Sequence, residues 1–217
     1  MDSDFLAYVN HLHYEVPQDN ANDAYDYIDN KVSDNGFFVD RGNSDHNILT
    51  LYNNNDNMLS ISHRGTSKSD DVVSDLAFGV GLEAFDNQFE ERRKRTKDIM
   101  KSYNDKQPET YLSGHSLGGS TVNYTIAKSP SIAKNMTEAH TFNPAIHPFN
   151  SNLKIDNPDH LKILNEKTTL HRAGGDLVSK WSSSNNQFGK LKKYKVHKKK
   201  QGTIASHSLN HFSSRIK

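Results

Sequence analysis

A serine hydroxyl attacks a carbonyl carbon only when a base takes its proton and when it stands clear of its own backbone. Ser116 is placed for the second condition, at the centre of Gly114-His-Ser-Leu-Gly118 within Tyr111-Leu-Ser-Gly-His-Ser-Leu-Gly-Gly-Ser120. Glycines two residues before and two after it let a strand and a following helix approach closely, so that the serine can occupy a strained turn. The same turn offers an oxyanion donor in the Leu117 backbone N–H. Amides of a first helical turn lack an intrahelical partner, and the helix dipole there favours negative charge. The pattern needs a strand over Thr110 to Ser113 and a helix over Thr121 to Lys128 that ends at Ser129-Pro130.

A nucleophilic serine also needs a histidine base, and the histidine needs an acid that fixes its tautomer. On a strand–turn–helix elbow the expected order is Ser, Asp, His. Asp176 fits the acid. It sits in Ala173-Gly-Gly-Asp-Leu-Val178 just after a strand candidate ending at Arg172, where a loop can turn its carboxylate toward the serine. Asp156 and Asp159 are rivals in order, in the loop-like Asp156-Asn-Pro-Asp159. Ser206-His-Ser-Leu-Asn-His-Phe212 offers two bases, His207 and His211. His115, next to the serine, points away from it in such a turn and reads as a structural hydrogen-bonder. His11-Leu-His13 has weak metal-ligand spacing and no third partner, so no metal and no cofactor is expected.

These residues must be positioned by strands and helices. Ala21, Ala24, Tyr25, Ile28 and Val32 recur with helical spacing, and Asn35-Gly36 stops that helix. Phe37 to Asp40, Ile48 to Tyr52 and Met58 to His63 read as strands, the last two joined by Asn53-Asn-Asn-Asp-Asn57 as a hairpin. Glu83 to Tyr103 is the longest helical candidate, anchored by Phe85, Phe89, Ile99, Met100 and Tyr103. The charged run Glu90 to Arg95 is expected on its solvated face. Glu138 to Phe142 and Thr168 to Arg172 are further strands, each following polar or helical material as a parallel sheet requires.

Two motifs in this order resemble the class 3 (fungal-type) lipases of the α/β-hydrolase superfamily. Gly114-His-Ser-Leu-Gly-Gly119 is similar to their nucleophile elbow. Ser62-His-Arg-Gly-Thr66, followed by Asp70, Asp71 and Ser74-Asp-Leu76, is similar to their oxyanion strand end and downstream Asp-Leu element. The resemblance runs from about Ile48 to Phe212. It implies one α/β domain over residues 1–217, with an α/β-hydrolase-like, mostly parallel central sheet, flanking helices and an antiparallel edge. It makes Thr66 the second oxyanion donor beside Leu117, and Asp75 a buried structural aspartate. Asp176 falls in the family's Asp-Pro-Val element with Leu177 in place of proline. It aligns His207 with the base, ahead of His211, and Phe212 with the aromatic residue that follows. The implied activity is hydrolysis of a lipid or related carboxylic ester through an acyl-enzyme on Ser116, as in a lipase, phospholipase or esterase. The alternative is a catalytically idle hydrolase fold used as a binding or virion-associated module.

Composition narrows the substrates and partners. The chain has 217 residues, 33% of them hydrophobic, and no cysteine, which excludes disulfides and thiolate chemistry. A mean hydropathy of −0.84 implies a very polar surface. The 27 Lys and Arg nearly balance the 26 Asp and Glu, so net charge does not argue for nucleic acid. Seven lysines crowd into Lys190 to Lys200. They suit a solvated edge strand guarded against aggregation, or transient contact with an anionic membrane surface. A nucleic-acid role ranks last, with no recognition motif beside the lysines. In the family a lid follows the oxyanion strand; here Ser67-Lys-Ser-Asp-Asp-Val-Val-Ser74 is polar except for two valines, which favours short esters or phospholipids over bulk triglyceride. With no signal-like start and no stretch of transmembrane length, the expected location is cytoplasmic, in a viral setting or after delivery to a host.

Overall fold

A computed structural model describes residues 1–65, 82–145, 155–174, 188–195 and 208–216. Its elements in chain order are α1 (Ser3–His13), α2 (Asn22–Val32), β1 (Phe38–Val39), β2 (Ile48–Asn53), β3 (Met58–His63), α3 (Leu82–Ser102), β4 (Glu109–His115), α4 (Leu117–Lys128), α5 (Pro130–Asn135), β5 (Glu138–Phe142), α6 (Pro158–Lys167), β6 (Thr168–Ala173) and β7 (Lys190–Tyr194). The seven strands form one sheet in sequence order. β1, β2 and β3 pair antiparallel, and β3 through β7 pair parallel. This is the α/β architecture with an antiparallel edge expected above.

Strand side chains alternate between faces, and each face has its own helices. Leu59 and Ile61 of β3, Leu112 of β4 and Ala139 of β5 pack with Ile99, Val122, Ile126, Ile132 and Leu164 from α3, α4, α5 and α6. Leu49 and Leu51 of β2 point the other way, onto Phe5, Val9 and Leu12 of α1 and Tyr25, Ile28 and Val32 of α2. Farther along that second face, Leu6 and Ala7 of α1 meet Tyr111, Phe142, Ala173, Leu209 and Phe212. Two crossover segments in sequence, α3 and α4–α5, lie on the same face because each links neighbouring parallel strands in the same direction.

Local chemistry explains the boundaries. Asp2 caps α1 by accepting the Phe5 N–H at 2.7 Å. Gly36 ends the turn after α2 at φ 77°, the left-handed conformation that glycine adopts without penalty. In the β2–β3 hairpin the Asn53 side-chain oxygen takes the amides of Asn55 and Asp56 at 2.9 and 3.0 Å, which makes an Asn-rich turn rather than a disordered loop.

Three expectations need correction. α4 starts at Leu117, four residues before Thr121, and Pro130 opens a second short helix instead of closing the region; proline is well suited to a first helical turn. Asp156-Asn-Pro-Asp159 is loop only up to Asn157; α6 begins at Pro158, and the Asn157 side chain caps the amides of Asp159 and His160. Within the run Glu90 to Arg95, Arg92 is buried.

Candidate active site

Ser116 lies between the end of β4 and the first residue of α4, with φ 54° and ψ −123°. Positive φ in a residue bearing a side chain costs energy and must be imposed by its surroundings. Here the glycines impose it. A Cβ on Gly114 would overlap the Gly118 carbonyl, and a Cβ on Gly118 would overlap the His63 carbonyl at the end of β3. Only bare backbones allow β3, β4 and α4 to meet this closely. The Ser116 backbone is then pinned on both sides. Its N–H donates to the Phe142 carbonyl at 3.0 Å, and its carbonyl accepts from Ser120 at 3.2 Å and Ala145 at 3.0 Å. Although it stands at the N-cap position, its hydroxyl makes no capping bond.

The oxyanion strand end approaches the same point. A Cβ on Gly65 would lie 3.3 Å from the Ser116 Cβ and would collide with the Tyr14 hydroxyl. Leu117, the first residue of α4, is buried; its amide belongs to the helix turn whose N–H groups have no carbonyl before them to pair with. Thr66, Asp176 and His207 lie outside the described residues, as do Asp70, Asp71, Asp75 and Leu177. Their flanks are described. β6 ends at Ala173, whose amide donates to the Asn143 side-chain oxygen at 2.9 Å, while the Asn143 amide donates to the His171 carbonyl at 2.8 Å. Asn143 thereby ties the C-terminal ends of β5 and β6 together at φ 40°. On the other flank, Phe212 packs on Phe142 at 5.4 Å and on Tyr194 at 4.9 Å between ring centroids. His211 stands in a short 3-10 turn, Leu209–His211, beside that anchor.

Several contributors had no motif to announce them. Asn10 of α1 donates to the Ser113 hydroxyl at 2.9 Å and accepts from the Ser62 hydroxyl at 3.1 Å, so one side chain bridges β3 and β4. Arg64 reaches back to the end of α1, donating to the carbonyls of His13 at 3.0 Å, Tyr14 at 2.9 Å and Val16. Arg92 of α3 donates to the Arg64 carbonyl at 2.7 Å and to the Asn47 side chain at 2.7 Å. Burial lowers the pKa of both guanidinium groups, that of Arg92 to about 10. Nearby His63 is held neutral by burial and then by the Arg92 charge, its pKa pushed down to about 3.

His115 bonds the Tyr14 hydroxyl through Nδ1 at 2.8 Å, the structural hydrogen bond expected of it. A second histidine chain crosses the sheet beneath the C-terminal segment. His140 contacts Glu138 at 2.9 Å and His171 at 3.0 Å, and His171 contacts the Tyr194 hydroxyl at 2.8 Å. One proton arrangement satisfies all three bonds: Tyr194 donates to His171, His171 to His140, and His140 to the Glu138 carboxylate. Among the described residues no cluster of three His, Asp or Glu side chains is placed to hold a metal ion.

The fold thus defines an α/β protein whose mostly parallel sheet carries a strained serine at the end of a central strand. No protein-family model matches the chain, and no curated protein matches it. Among solved structures it is similar to the crystal structure of Lip2 lipase from Yarrowia lipolytica, with a TM-score of 0.41 and 11% identity. That similarity covers 69% of this chain and 60% of the Yarrowia chain. At that degree of similarity the lipase activity stays with the Yarrowia protein. No described helix is long and apolar enough to cross a membrane.

Proposed function

We propose that the protein is a serine hydrolase of carboxylic esters, acting on a lipid or related ester in the manner of the class 3 lipases. The observation that carries this reading is the conformation of Ser116: positive φ, enforced by glycine contacts on both sides, at the end of a central parallel strand. Strain of this kind persists only where the surroundings over-determine it, and it concentrates at functional sites. In the proposed reaction His207 takes the Ser116 proton as the oxygen attacks the ester carbonyl, and Asp176 orients the imidazole. The amides of Leu117 and Thr66 hold the oxyanion. Collapse of the tetrahedral intermediate expels the alcohol, which receives the proton from His207, and water releases the acid by the same steps. Arg64 and Arg92, both buried, fix the strand end before Thr66 through the carbonyls of His13, Tyr14 and Arg64.

Short esters or phospholipids are the proposed substrates ahead of bulk triglyceride, and the lysines of β7 bear on the phospholipid case. β7 is an edge strand among the described elements and exposes Lys190, Lys192 and Lys193 with Leu191; each lysine near an anionic bilayer contributes about 1 kcal/mol.

The test measures fatty acid release from phospholipid, triglyceride, galactolipid and short soluble esters, together with labelling by a fluorophosphonate. Wild-type protein should label and should cleave at least one class. Ser116→Ala should lose both by a thousandfold or more. Folded wild-type protein that neither labels nor cleaves would leave the idle binding module as the better reading.

A further inference from the structure

Tyr14 stands one residue beyond α1, far from the motifs in sequence, yet its hydroxyl is wedged between the two segments that meet at Ser116. On one side it bonds His115 Nδ1 at 2.8 Å, immediately before the serine. On the other it stands so close to Gly65 that no side chain fits there. The ring is held as well. The Arg64 guanidinium carbon lies 5.4 Å from the ring centroid, and Arg64 Nη2 donates to the Tyr14 carbonyl at 2.9 Å. Arg92 meanwhile fixes the carbonyl of the same Arg64–Gly65 peptide.

We propose that Tyr14 is a positioning residue that bolts the oxyanion strand end to the nucleophile turn. The proposal rests on the hydrolase reading above. A phenol oxygen has one proton to give and lone pairs to receive. Its O–H is placed to donate to His115 Nδ1, which puts the His115 proton on Nε2, while the oxygen itself limits how the Gly65 backbone can approach Ser116. Burial pushes the Tyr14 pKa above its ordinary value, against the opposing pull of Arg64, so the hydroxyl keeps its proton over the whole working range. The residue that follows the first helix therefore touches the nucleophile turn and the Gly65 segment directly. A misplacement of about 1 Å between nucleophile and oxyanion donor costs on the order of a hundredfold.

The experiment compares wild type, Tyr14→Phe and Leu12→Ala in fluorophosphonate inactivation and in hydrolysis of a short nitrophenyl ester, with Tm measured alongside. Leu12 is buried in the packing of α1 against α2 and β2. Tyr14→Phe should lower the inactivation rate and kcat about tenfold to a hundredfold, with KM within about twofold. Leu12→Ala should lower Tm by more than Tyr14→Phe does and leave kcat of the folded protein unchanged. If Tyr14→Phe fails to fold, His115→Ala removes the bond from the other end, and the same tenfold or greater loss of kcat is expected. Reactive wild type with undiminished kcat in the folded variant overturns the role of Tyr14 alone. Wild-type protein that does not react overturns the hydrolase reading and this role together.

Discussion

Beneath α3 to α6 the sheet presents Leu59, Ile61, Leu112 and Ala139, whereas beneath α1 and the C-terminal segment the same strands present Ser62, Ser113 and His140, with His171 beside them on β6. The first face is held by apolar burial, which is strong but has no direction. The second has apolar packing of its own against α1 and α2, and adds hydrogen bonds, which fix who meets whom and at what angle. The candidate site sits at the rim where the two faces join. The apolar face presses α4 against β3 and β4, and so forces Ser116 into its strained conformation. The polar face sets the height of the Gly65 segment and of the β5 and β6 ends relative to that serine. Apolar burial thus stabilises both faces, while alignment comes from the hydrogen bonds of the second.

Gly118→Ala should have the largest effect, because it attacks the apolar face where backbone meets backbone. The new methyl would overlap the His63 carbonyl, and neither β3 nor α4 can yield without opening the packing of Leu59, Ile61 and Val122. A loss of about 3 kcal/mol or more is expected in urea unfolding, the same at pH 7 and pH 5. Near-normal stability with Ser116 still reactive would show that the close approach is not what fixes the elbow.

Acid should act chiefly on the other face. His13 and His140 have pKa values lowered by burial, and burial followed by the His140 charge brings His171 to about 3. A histidine whose folded pKa is depressed contributes stability that is complete above the unfolded value and is lost as pH falls through it toward the folded value. For His171 that window runs from about 6.5 downward, and about 2 kcal/mol should be gone by pH 5. His63 adds a similar loss from the α3 side, where Arg92 and the Thr96 hydroxyl are its neighbours. Urea unfolding at pH 7, 6 and 5 measures the slope, and His171→Gln should flatten it by about one proton. Amides of α1 should lose hydrogen-exchange protection before those of α4. A flat stability profile would abolish the distinction between the faces.

Sequence pattern made the apolar face legible and left the polar one nearly silent. Met58 to His63 and Glu138 to Phe142 are strands with the bounds that alternation and flanking turns predict. The elbow was legible because its glycines have no other reason to be so spaced. Arg92 was misplaced because a charged run reads as solvated, yet Phe89, Arg92, Thr96, Ile99 and Tyr103 follow the helical period and form one buried stripe. Tyr14, Asn10 and Asn143 had no local signal at all: a polar residue becomes structural only when a distant segment arrives with its partner. The start of α4 was missed for a related reason, since Gly118-Gly119 has poor helix propensity and tertiary contact overrides it.

Asp4→Asn tests the weakest link between the faces' outer cover and the site. Asp4, in the first turn of α1, accepts from the Ser214 amide at 2.7 Å, the Ser214 hydroxyl at 3.1 Å and Arg215 Nε at 2.9 Å. Burial alone would raise its pKa, but the Ser214 and Arg215 hydrogen bonds outweigh that and hold it below its ordinary value. Its contribution is therefore present above the unfolded carboxylate pKa and lost only in strong acid, outside the window in which the histidines titrate. Both partners of the ion pair are a third exposed, so removing the charge should cost less than about 1 kcal/mol, and added salt should shrink that cost further. The segment it tethers continues from Leu209 and Phe212, which are already clamped on Ala7 and Phe142. Fluorophosphonate labelling of Asp4→Asn should then match wild type within about twofold. A large loss of labelling without a matching loss of stability would mean that the tail is aligned by its polar tie to α1 rather than by its aromatic anchor, and the division of labour between directional and apolar contacts would extend to the C-terminal segment itself.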